Sequence, residues 1–183
     1  MTRARSLCTF LAAPLLACWV PAVAGVGCCG GGGSGAYSAG HFTDAHVSYR
    51  VGAPGTGWAE VSQPKANVAW FHPGHDAVIL VNSSCEGVAD SPLEGLTNDL
   101  LMGTTERAVL EQNRLAFSGR EALETRARAK LDGVMRDMKL FVLKKDGCVY
   151  DVVFGAPAAS FDAAEGGYAR VKDGFVVDAR RDR

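Results

Sequence analysis

The stretch that decides the fold is residues 122–154, which read ALETRARAKLDGVMRDMKLFVLKKDGCVYDVVF. Two Asp-Gly pairs, at 132–133 and 146–147, divide it into three runs that favour extended structure. An Asp-Gly pair between such runs is typical of a two-residue hairpin turn, because Asp and Gly tolerate the left-handed backbone that the turn requires. The sequence therefore predicts two successive hairpins, with strands at 122–131, 138–144 and 148–154.

The first of these strands has two different faces. Apolar or small side chains occupy the odd positions of 123–131, and Glu124, Arg126, Arg128 and Lys130 occupy the even positions. Period-two alternation predicts a strand with one face packed on the core and the other in water. We therefore interpret the three cations as a solvated face, with an anionic-ligand site as the alternative.

Further strands are predicted on the N-terminal side of this stretch. They cover residues 58–61, 68–72, 76–82 and 107–117, the last of which also has helical features. The run at 76–82 is apolar and β-branched, as expected of a buried strand. Together with the two hairpins, these strands predict one mainly antiparallel sheet.

Two amphipathic helices are predicted beside the strands. The first begins at Ser91-Pro92-Leu93-Glu94, which supplies an N-cap serine, a proline at the first helical position and a glutamate that closes a capping box. The second is capped by Ser160 and keeps helical spacing of apolar residues over 161–175. Residues 44–183 are thus predicted to form a single α+β domain, in which two helices cover a mainly antiparallel sheet.

The N-terminal residues differ in composition from this domain. No Asp, Glu, Lys or Arg occurs from Ser6 to Thr43, whereas the remainder carries all 20 acidic and 17 of the 19 basic residues, a formal charge of −3. Two arginines followed by an apolar run predict a signal peptide over residues 1–17. A Gly/Ser-rich, disordered tether is predicted for 18–43. Because the domain has no basic stripe, we expect no nucleic-acid partner.

Leu15-Leu16-Ala17-Cys18 resembles the lipobox of bacterial lipoproteins. In that family the cysteine receives a diacylglycerol, the signal peptide is cut before it, and the new N-terminus is acylated, for example with palmitate. The resemblance implies lipidation of Cys18 and a membrane anchor. Cys28 is the competing site, and an unlipidated signal peptide or an uncleaved anchor is the other alternative. Since Trp19 rather than Asp follows Cys18, the family's sorting rule favours the outer membrane, facing the periplasm.

Cys85 and Cys148 are the two cysteines that remain in the predicted domain. Each lies near the end of a predicted strand, and an exported domain meets an oxidising compartment. We therefore predict a Cys85–Cys148 disulfide, for which the chain-entropy model gives a contribution of about 4 kcal/mol. Two unpaired buried thiols are the alternative.

The histidines do not predict catalysis or metal binding. His72 and His75 are separated by Pro-Gly, which is typical of a turn, and two imidazoles fall short of the three or four donors of a metal site. His41 and His46 lie near the tether and are expected to be solvated. We expect no catalytic residue, no metal and no cofactor; a metal site that uses His72 and His75 is the weakest alternative.

The order of the elements, together with particular residues, resembles the PsbP-like fold, which includes the DcrB-type bacterial lipoproteins. The resemblance covers 58–177 and depends on Gly119-Arg120-Glu121-Ala122-Leu123, Asp132-Gly133, Leu140-Phe141-Val142-Leu143, Lys145-Asp146-Gly147, Val149-Tyr150-Asp151-Val152 and a last helix from Phe161 to Gly174-Phe175. It implies an αβα sandwich that serves as a non-catalytic binding or assembly module. It transfers no active-site residues, since that family shares no such set.

These observations together predict a lipid-anchored, non-catalytic protein of the cell envelope. We expect it to bind the membrane through its N-terminus and an envelope protein through its domain. The alternative is a small periplasmic enzyme, such as a hydrolase, with a site that the sequence does not reveal.

Overall fold

The computed structural model describes residues 35–87 and 91–178. The predicted signal peptide and the lipidation sites Cys18 and Cys28 lie outside these residues. Among the helices described, none has the length and apolar character that crossing a membrane requires.

The described residues form eleven strands and two helices. In chain order these are β1 (Ala36–Ser38), β2 (His41–Thr43), β3 (Ser48–Arg50), β4 (Ala59–Glu60), β5 (Val68–His72), β6 (Ala77–Ser84), α1 (Leu93–Leu100), β7 (Thr105–Phe117), β8 (Arg120–Leu131), β9 (Val134–Lys145), β10 (Cys148–Ala156), α2 (Phe161–Asp173) and β11 (Val176–Val177). The large sheet has the order β4-β5-β6-β10-β9-β8-β7, and the small sheet has the order β1-β2-β3-β11. Both sheets are antiparallel throughout, which confirms the predicted α+β class.

Tight turns connect the last four strands of the large sheet. Asp132 and Gly133 have φ of 49° and 80° between β8 and β9, and Asp146 and Gly147 have φ of 53° and 77° between β9 and β10. Both predicted hairpins are confirmed. Ser118-Gly119 makes a third turn of this kind, between β7 and β8, so that the ambiguous segment 107–117 is a strand.

Helix α2 and the small sheet cover one face of the large sheet, which we call the α2 side. Phe154 of β10 packs against the rings of Phe161 and Tyr168 of α2, with centroids 4.9 and 5.8 Å away. Tyr49 of the small sheet meets Tyr150 edge to face at 5.7 Å. The main apolar core therefore lies on this side.

Helix α1 covers part of the opposite face, which we call the α1 side. It packs on β8 and β9, where Leu93 lies with Leu123 and Val142, and Leu101, just beyond the helix, lies with Leu140. The layers are thus α1, the large sheet, and α2 with the small sheet. This is the predicted αβα sandwich.

Residues 36–43 belong to the fold and not to the tether. They form β1 and β2, joined by Ala39-Gly40, whose φ values of 50° and 79° match the other hairpin turns. Phe42 is buried against Tyr49, with ring centroids 5.1 Å apart. The prediction of a disordered tether up to residue 43 is wrong over these residues, because a segment without charges can still pair as strands and bury aromatic rings.

Both helices begin without the side-chain caps that the sequence predicts. Pro92 precedes α1 in an extended conformation with no side-chain cap, and the carbonyl oxygen of Ser91 accepts from Lys144 Nζ at 2.9 Å. Ser160 does lie at the N-cap of α2, but its hydroxyl donates to the carbonyl oxygen of His75 at 2.7 Å. The two serines that the sequence predicts as caps are thus hydrogen-bonded to residues outside the helices.

Candidate binding surface

Helix α1 divides the α1 side into two exposed regions. On one flank lie β5, β6 and β10, and on the other lie β7 and the end of the β8–β9 hairpin. We call the first region the open half and define it by the side chains that β5, β6 and β10 present there: Phe71, Val78, Leu80, Asn82, Asp151 and Val153. The second region is the apolar tip, which also includes Met135 on the opposite face of the sheet end, where it pairs with Lys130.

The apolar tip contains most of the large apolar side chains that are exposed in the described residues. Its members, with their exposed fractions, are Met102 (68%), Val109 (54%), Leu110 (51%), Leu131 (48%), Val134 (54%) and Met135 (37%). Thr105 pairs with Lys130, so the loop after α1, the start of β7 and the β8–β9 turn meet at one end of the sheet. Exposed apolar side chains that cluster in this way mark interaction sites.

Strand β7 forms an edge of the large sheet beside the tip. Its register against β8 shifts between Thr105 and Ala108 and again between Val109 and Glu111. Glu106, within the first irregularity, has a φ of 49°. Bulges and charged side chains protect exposed edges from indiscriminate strand pairing. A partner would therefore contact the side chains of the tip and would not pair as an additional strand with the backbone of β7.

Arg114 connects the far end of β7 to helix α1. Its guanidinium binds Glu94 of α1 and Glu121 of β8. Glu94, which the sequence predicts to close a capping box, is thus used to hold the helix beside the edge strand.

Asp151 is the one acidic side chain of the open half. Its register partners are Asn82 on β6 and Val142 on β9. Burial raises its pKa to about 7. Asn82 turns its amide nitrogen to the carbonyl oxygen of Lys65 at 3.0 Å. The carboxyl group is therefore close to half ionised at neutral pH on a sheet face that is otherwise mostly apolar.

Sequence reasoning missed both regions, although each left a signal. Asp151 interrupts an apolar run in 148–154, where every neighbour suits a core. Leu131, Val134 and Met135 flank the Asp-Gly turn, where polar residues are the rule. An acid within an apolar run, or apolar residues beside a turn, marks a position that the needs of folding do not explain.

The predicted disulfide between Cys85 and Cys148 is present, with an S–S distance of 2.08 Å. Ser84 pairs with Val149, which places the two cysteines opposite each other on β10 and just beyond β6. Both pack with the core on the α2 side. The bond is a structural link between the two central strands.

His72 and His75 lie at the turn between β5 and β6, as the Pro-Gly spacing predicts. Their rings stack with centroids 4.4 Å apart, and Trp58 meets His72 edge to face at 5.3 Å. Within residues 35–87 and 91–178, no three His, Cys, Asp or Glu side chains are grouped to share a metal ion. The pair therefore packs as a small aromatic cluster.

Helix α2 covers the charged face of β8 at Glu124 and partly at Arg126, whereas Arg128 stays exposed as predicted. Glu124 accepts hydrogen bonds from the Tyr168 hydroxyl at 2.8 Å and from Lys172 Nζ at 3.0 Å. Burial raises the pKa of Glu124, but the two donors outweigh burial and hold that pKa below its usual value. The solvated-face prediction therefore holds at Arg128 and fails at Arg126, which packs on the Phe161 ring of α2, because alternation reveals two faces but not what packs over the second.

Each of the three cations on this strand has an acidic partner. Arg128 donates to both carboxylate oxygens of Asp137, at 2.5 and 2.8 Å, and these bonds lower the pKa of Asp137. Arg126 lies 3.7 Å from the same carboxylate, and Lys130 binds Glu106 at 2.5 Å. Since these charges are neutralised within the protein, nothing in the arrangement favours an anionic ligand.

His41, predicted to be solvated, joins a cluster in the small sheet. Its Nε2 atom lies 2.9 Å from both the Ser48 hydroxyl and an Asp178 carboxylate oxygen, and Ser48 donates directly to Asp178 at 2.7 Å. A catalytic triad needs serine and aspartate on different ring nitrogens. Here both meet the same nitrogen, so the cluster fastens Asp178 to β2 and β3. The Ser48 hydrogen bond lowers the pKa of Asp178, with smaller contributions from His41 and Arg50.

Several solved structures share this fold at low sequence identity. The cyanobacterial PsbP (CyanoP) of Synechocystis sp. PCC 6803 has 19% identity and a TM-score of 0.50, over 84% of this chain and 99% of that chain. PA94 of Pseudomonas aeruginosa, a protein of unknown function, has 12% identity and a TM-score of 0.51, over 82% and 100%. LpqN of Mycobacterium tuberculosis, involved in cell envelope biogenesis, has 10% identity and a TM-score of 0.53, over 74% and 87%.

These likenesses establish the fold alone. No protein-family model and no curated protein sequence matches the chain. The αβα sandwich described above is the PsbP-like fold, as the sequence resemblance implied.

Proposed function

We propose that this chain, whose fold is PsbP-like, is a non-catalytic binding or assembly module of the bacterial cell envelope, held there by an N-terminal lipid anchor. The observation that carries the proposal is the apolar tip, which contains six of the eight large apolar side chains exposed in the described residues. Water contact of so many apolar groups is unfavourable, and a partner that covers them gains their burial energy. The partner we propose is an envelope protein that packs on the tip.

The polar clusters of the described residues support a module that does not catalyse. His41, Ser48 and Asp178 lack the geometry of a proton relay, and Glu124 and Asp137 are neutralised by cations. Asp151 has a pKa suited to proton transfer, but the open half supplies it with no second titratable group. The alternative of a small hydrolase is therefore supported by no arrangement of catalytic side chains in these residues.

The anchor and the location rest on the sequence. The uncharged stretch 6–43 and Leu15-Leu16-Ala17-Cys18 support export and lipidation, with Cys28 as the alternative site. LpqN, which shares the fold, is involved in cell envelope biogenesis, and this supports an envelope location for the present chain. Trp19 after the proposed lipidated residue favours the outer membrane, with the domain facing the periplasm.

The anchor is tested by the intact mass of protein extracted from the membrane fraction. We expect the mass of a triacylated chain that starts at Cys18. Cys18→Ser should abolish acylation, and Cys28→Ser, the matched control, should leave the mass shift intact. Acylation that persists in Cys18→Ser but not in Cys28→Ser moves the anchor to the second site, and an unlipidated wild type refutes the anchor.

The tip is tested by photo-crosslinking in intact cells. A photoreactive amino acid at Leu131 should capture one discrete protein, and the same residue at Val109 should capture the same one. Val176 is the control, since it is exposed to a similar extent (44%) but lies in the small sheet. Equal products at all three positions, or none at the tip, would refute a specific partner there.

A further inference from the structure

The open half differs from the tip because it contains an acidic side chain that forms no ion pair with another described residue. In the described residues the other acids on the central strands have cations: Arg128 binds Asp137, and Lys172 binds Glu124. Within 35–87 and 91–178 no such ion pair forms at Asp151, where burial is the cause that raises the pKa of the carboxyl group. The sheet therefore holds a partly buried acid that nothing in the described part of the fold requires to be charged.

The nearest neighbours of Asp151 on its own side of the sheet are apolar, and the closest cation along β9, Lys144, directs its Nζ atom to the carbonyl oxygen of Ser91 at 2.9 Å. Val149 and Val153 lie two residues away on the same strand and the same side, and Val142 lies directly across on β9. Leu80, the register partner of Val153, completes the border towards β6. An apolar residue at position 151 would suit this sheet better than an acid does, since an uncompensated carboxylate is costly there.

On the α1 side of β10, Asp151 is followed by Val153 and then by Gly155. Gly155 lies four residues further on the same side, about 13 Å at the usual strand rise. A Cβ atom placed on Gly155 would meet only Val78, at 3.7 Å, so the surface above this glycine has room. Val153 lies between Asp151 and Gly155, Leu80 and Val78 lie beside them on β6, and all three apolar side chains are partly exposed.

We propose that the open half binds a small amphiphilic amine, whose ammonium group pairs with the Asp151 carboxylate and whose aliphatic chain lies along Leu80, Val153 and Val78. The ammonium supplies the missing counter-charge, and the chain covers the apolar border. A metal ion does not fit, because Asp151 and Asn82 offer at most two donors where three or more are needed. A neutral or anionic amphiphile would leave the carboxylate uncompensated.

The first test uses n-hexylammonium chloride as the probe, with n-hexanol as a neutral control of equal chain length. Binding to the isotope-labelled wild-type protein is followed by NMR at the Asp151 carboxyl carbon and the methyl groups of Leu80 and Val153. We expect saturable shifts with the amine and at least tenfold weaker binding of the alcohol. Equal binding of the two probes, or shifts that do not saturate, would overturn the proposal.

The pH dependence gives a second test that needs no variant. The amine remains protonated throughout pH 5–8, whereas Asp151 ionises across this range. Affinity should therefore rise at least about tenfold from pH 5 to pH 8. A flat profile for a saturable site contradicts a carboxylate contact.

The third test removes the charge while keeping the shape. Asp151→Asn should weaken hexylammonium binding at pH 8 at least tenfold, and Asp99→Asn, which removes an exposed carboxylate from α1, should not change it. Unchanged binding by Asp151→Asn would contradict the proposal. If that variant does not fold, the pH profile of the wild-type protein decides.

The amine site and the tip partner are independent proposals. Val109→Ser should retain amine binding, so either proposal can fail without the other.

Discussion

The two faces of the large sheet are built from the same strands but are covered to different extents by the other elements. On the α2 side, a helix and a second sheet cover side chains such as Val152 and Phe154 completely. On the α1 side, helix α1 covers β8 and β9 and leaves the open half and the apolar tip in contact with solvent. The α2 side therefore supplies most of the stability, and the α1 side presents the surfaces available for binding.

The charged groups follow the same division. Asp137 and Glu124 on the α2 side have pKa values below their usual range because Arg128 and the pair Tyr168 and Lys172 donate to them. Asp151 on the α1 side has a raised pKa because burial acts on it alone. The comparison teaches that the acids of the closed side are compensated within the chain, whereas Asp151 on the open side forms no ion pair in the described residues.

The largest effect should come from opening the closed side covalently. Reduction of Cys85–Cys148, or the double change Cys85→Ser and Cys148→Ser, should lower the free energy of unfolding by about 2–4 kcal/mol, because the unfolded chain regains the freedom of a long loop. Urea unfolding with and without reductant measures this loss. An unchanged midpoint would mean that the link between β6 and β10 contributes nothing to the closed side.

A matched pair of truncations compares the two faces directly. Val152→Ala removes two methyl groups from the α2 side, where the residue is fully buried, and should cost about 2 kcal/mol. Val153→Ala makes the same change on the partly exposed α1 side and should cost under about 1 kcal/mol. Both are measured by urea unfolding. Equal losses would show that the open half is as tightly packed as the core.

The pH dependence of stability should have opposite signs on the two faces. Between the unfolded pKa of Asp151, 3.8, and its folded pKa of about 7, the native state keeps a proton that the unfolded state loses, so stability falls as pH rises through this window. The slope is at most about 1.4 kcal/mol per pH unit. For Asp137, the lowered pKa has the reverse effect: its contribution is present above the unfolded pKa and is lost on acidification below it.

Unfolding free energies of wild type and Asp151→Asn between pH 4.5 and pH 8 isolate the contribution of Asp151. The variant should lose the fall in stability towards pH 7 and should be the more stable protein at pH 8. Parallel profiles of the two proteins would contradict the unpaired carboxyl group.

The smallest effect on stability is expected at the tip. Val109→Ser and Leu131→Ser should change the free energy of unfolding by no more than about 0.5 kcal/mol, because both side chains are largely exposed. The same changes should remove the crosslinked partner, whereas Val176→Ser should not. A large loss of stability at the tip would make it part of the core rather than a binding surface.

Local patterns predicted the parts of the fold that depend on neighbours in sequence. The turns at Asp132-Gly133 and Asp146-Gly147 were predictable because the left-handed backbone needs these residue types. The disulfide was predictable because Cys85 and Cys148 are the two cysteines left in a domain that is predicted to be exported. The caps of the helices were not, since Ser160 and Glu94 bond to residues distant in sequence.

The sequence by itself determined the α+β class and the antiparallel hairpins, because alternation and turn chemistry act locally. It also predicted the cysteine pair, because two cysteines remain in the predicted exported domain. Only the tertiary structure decided what covers each face. Glu124 and Arg126 alternate as solvent-facing residues do, yet side chains of α2 contact them, while Asp151 sits among core residues on a face that α1 leaves open. A strand's pattern specifies that its two sides differ; the placement of helices distant in sequence specifies which side is closed.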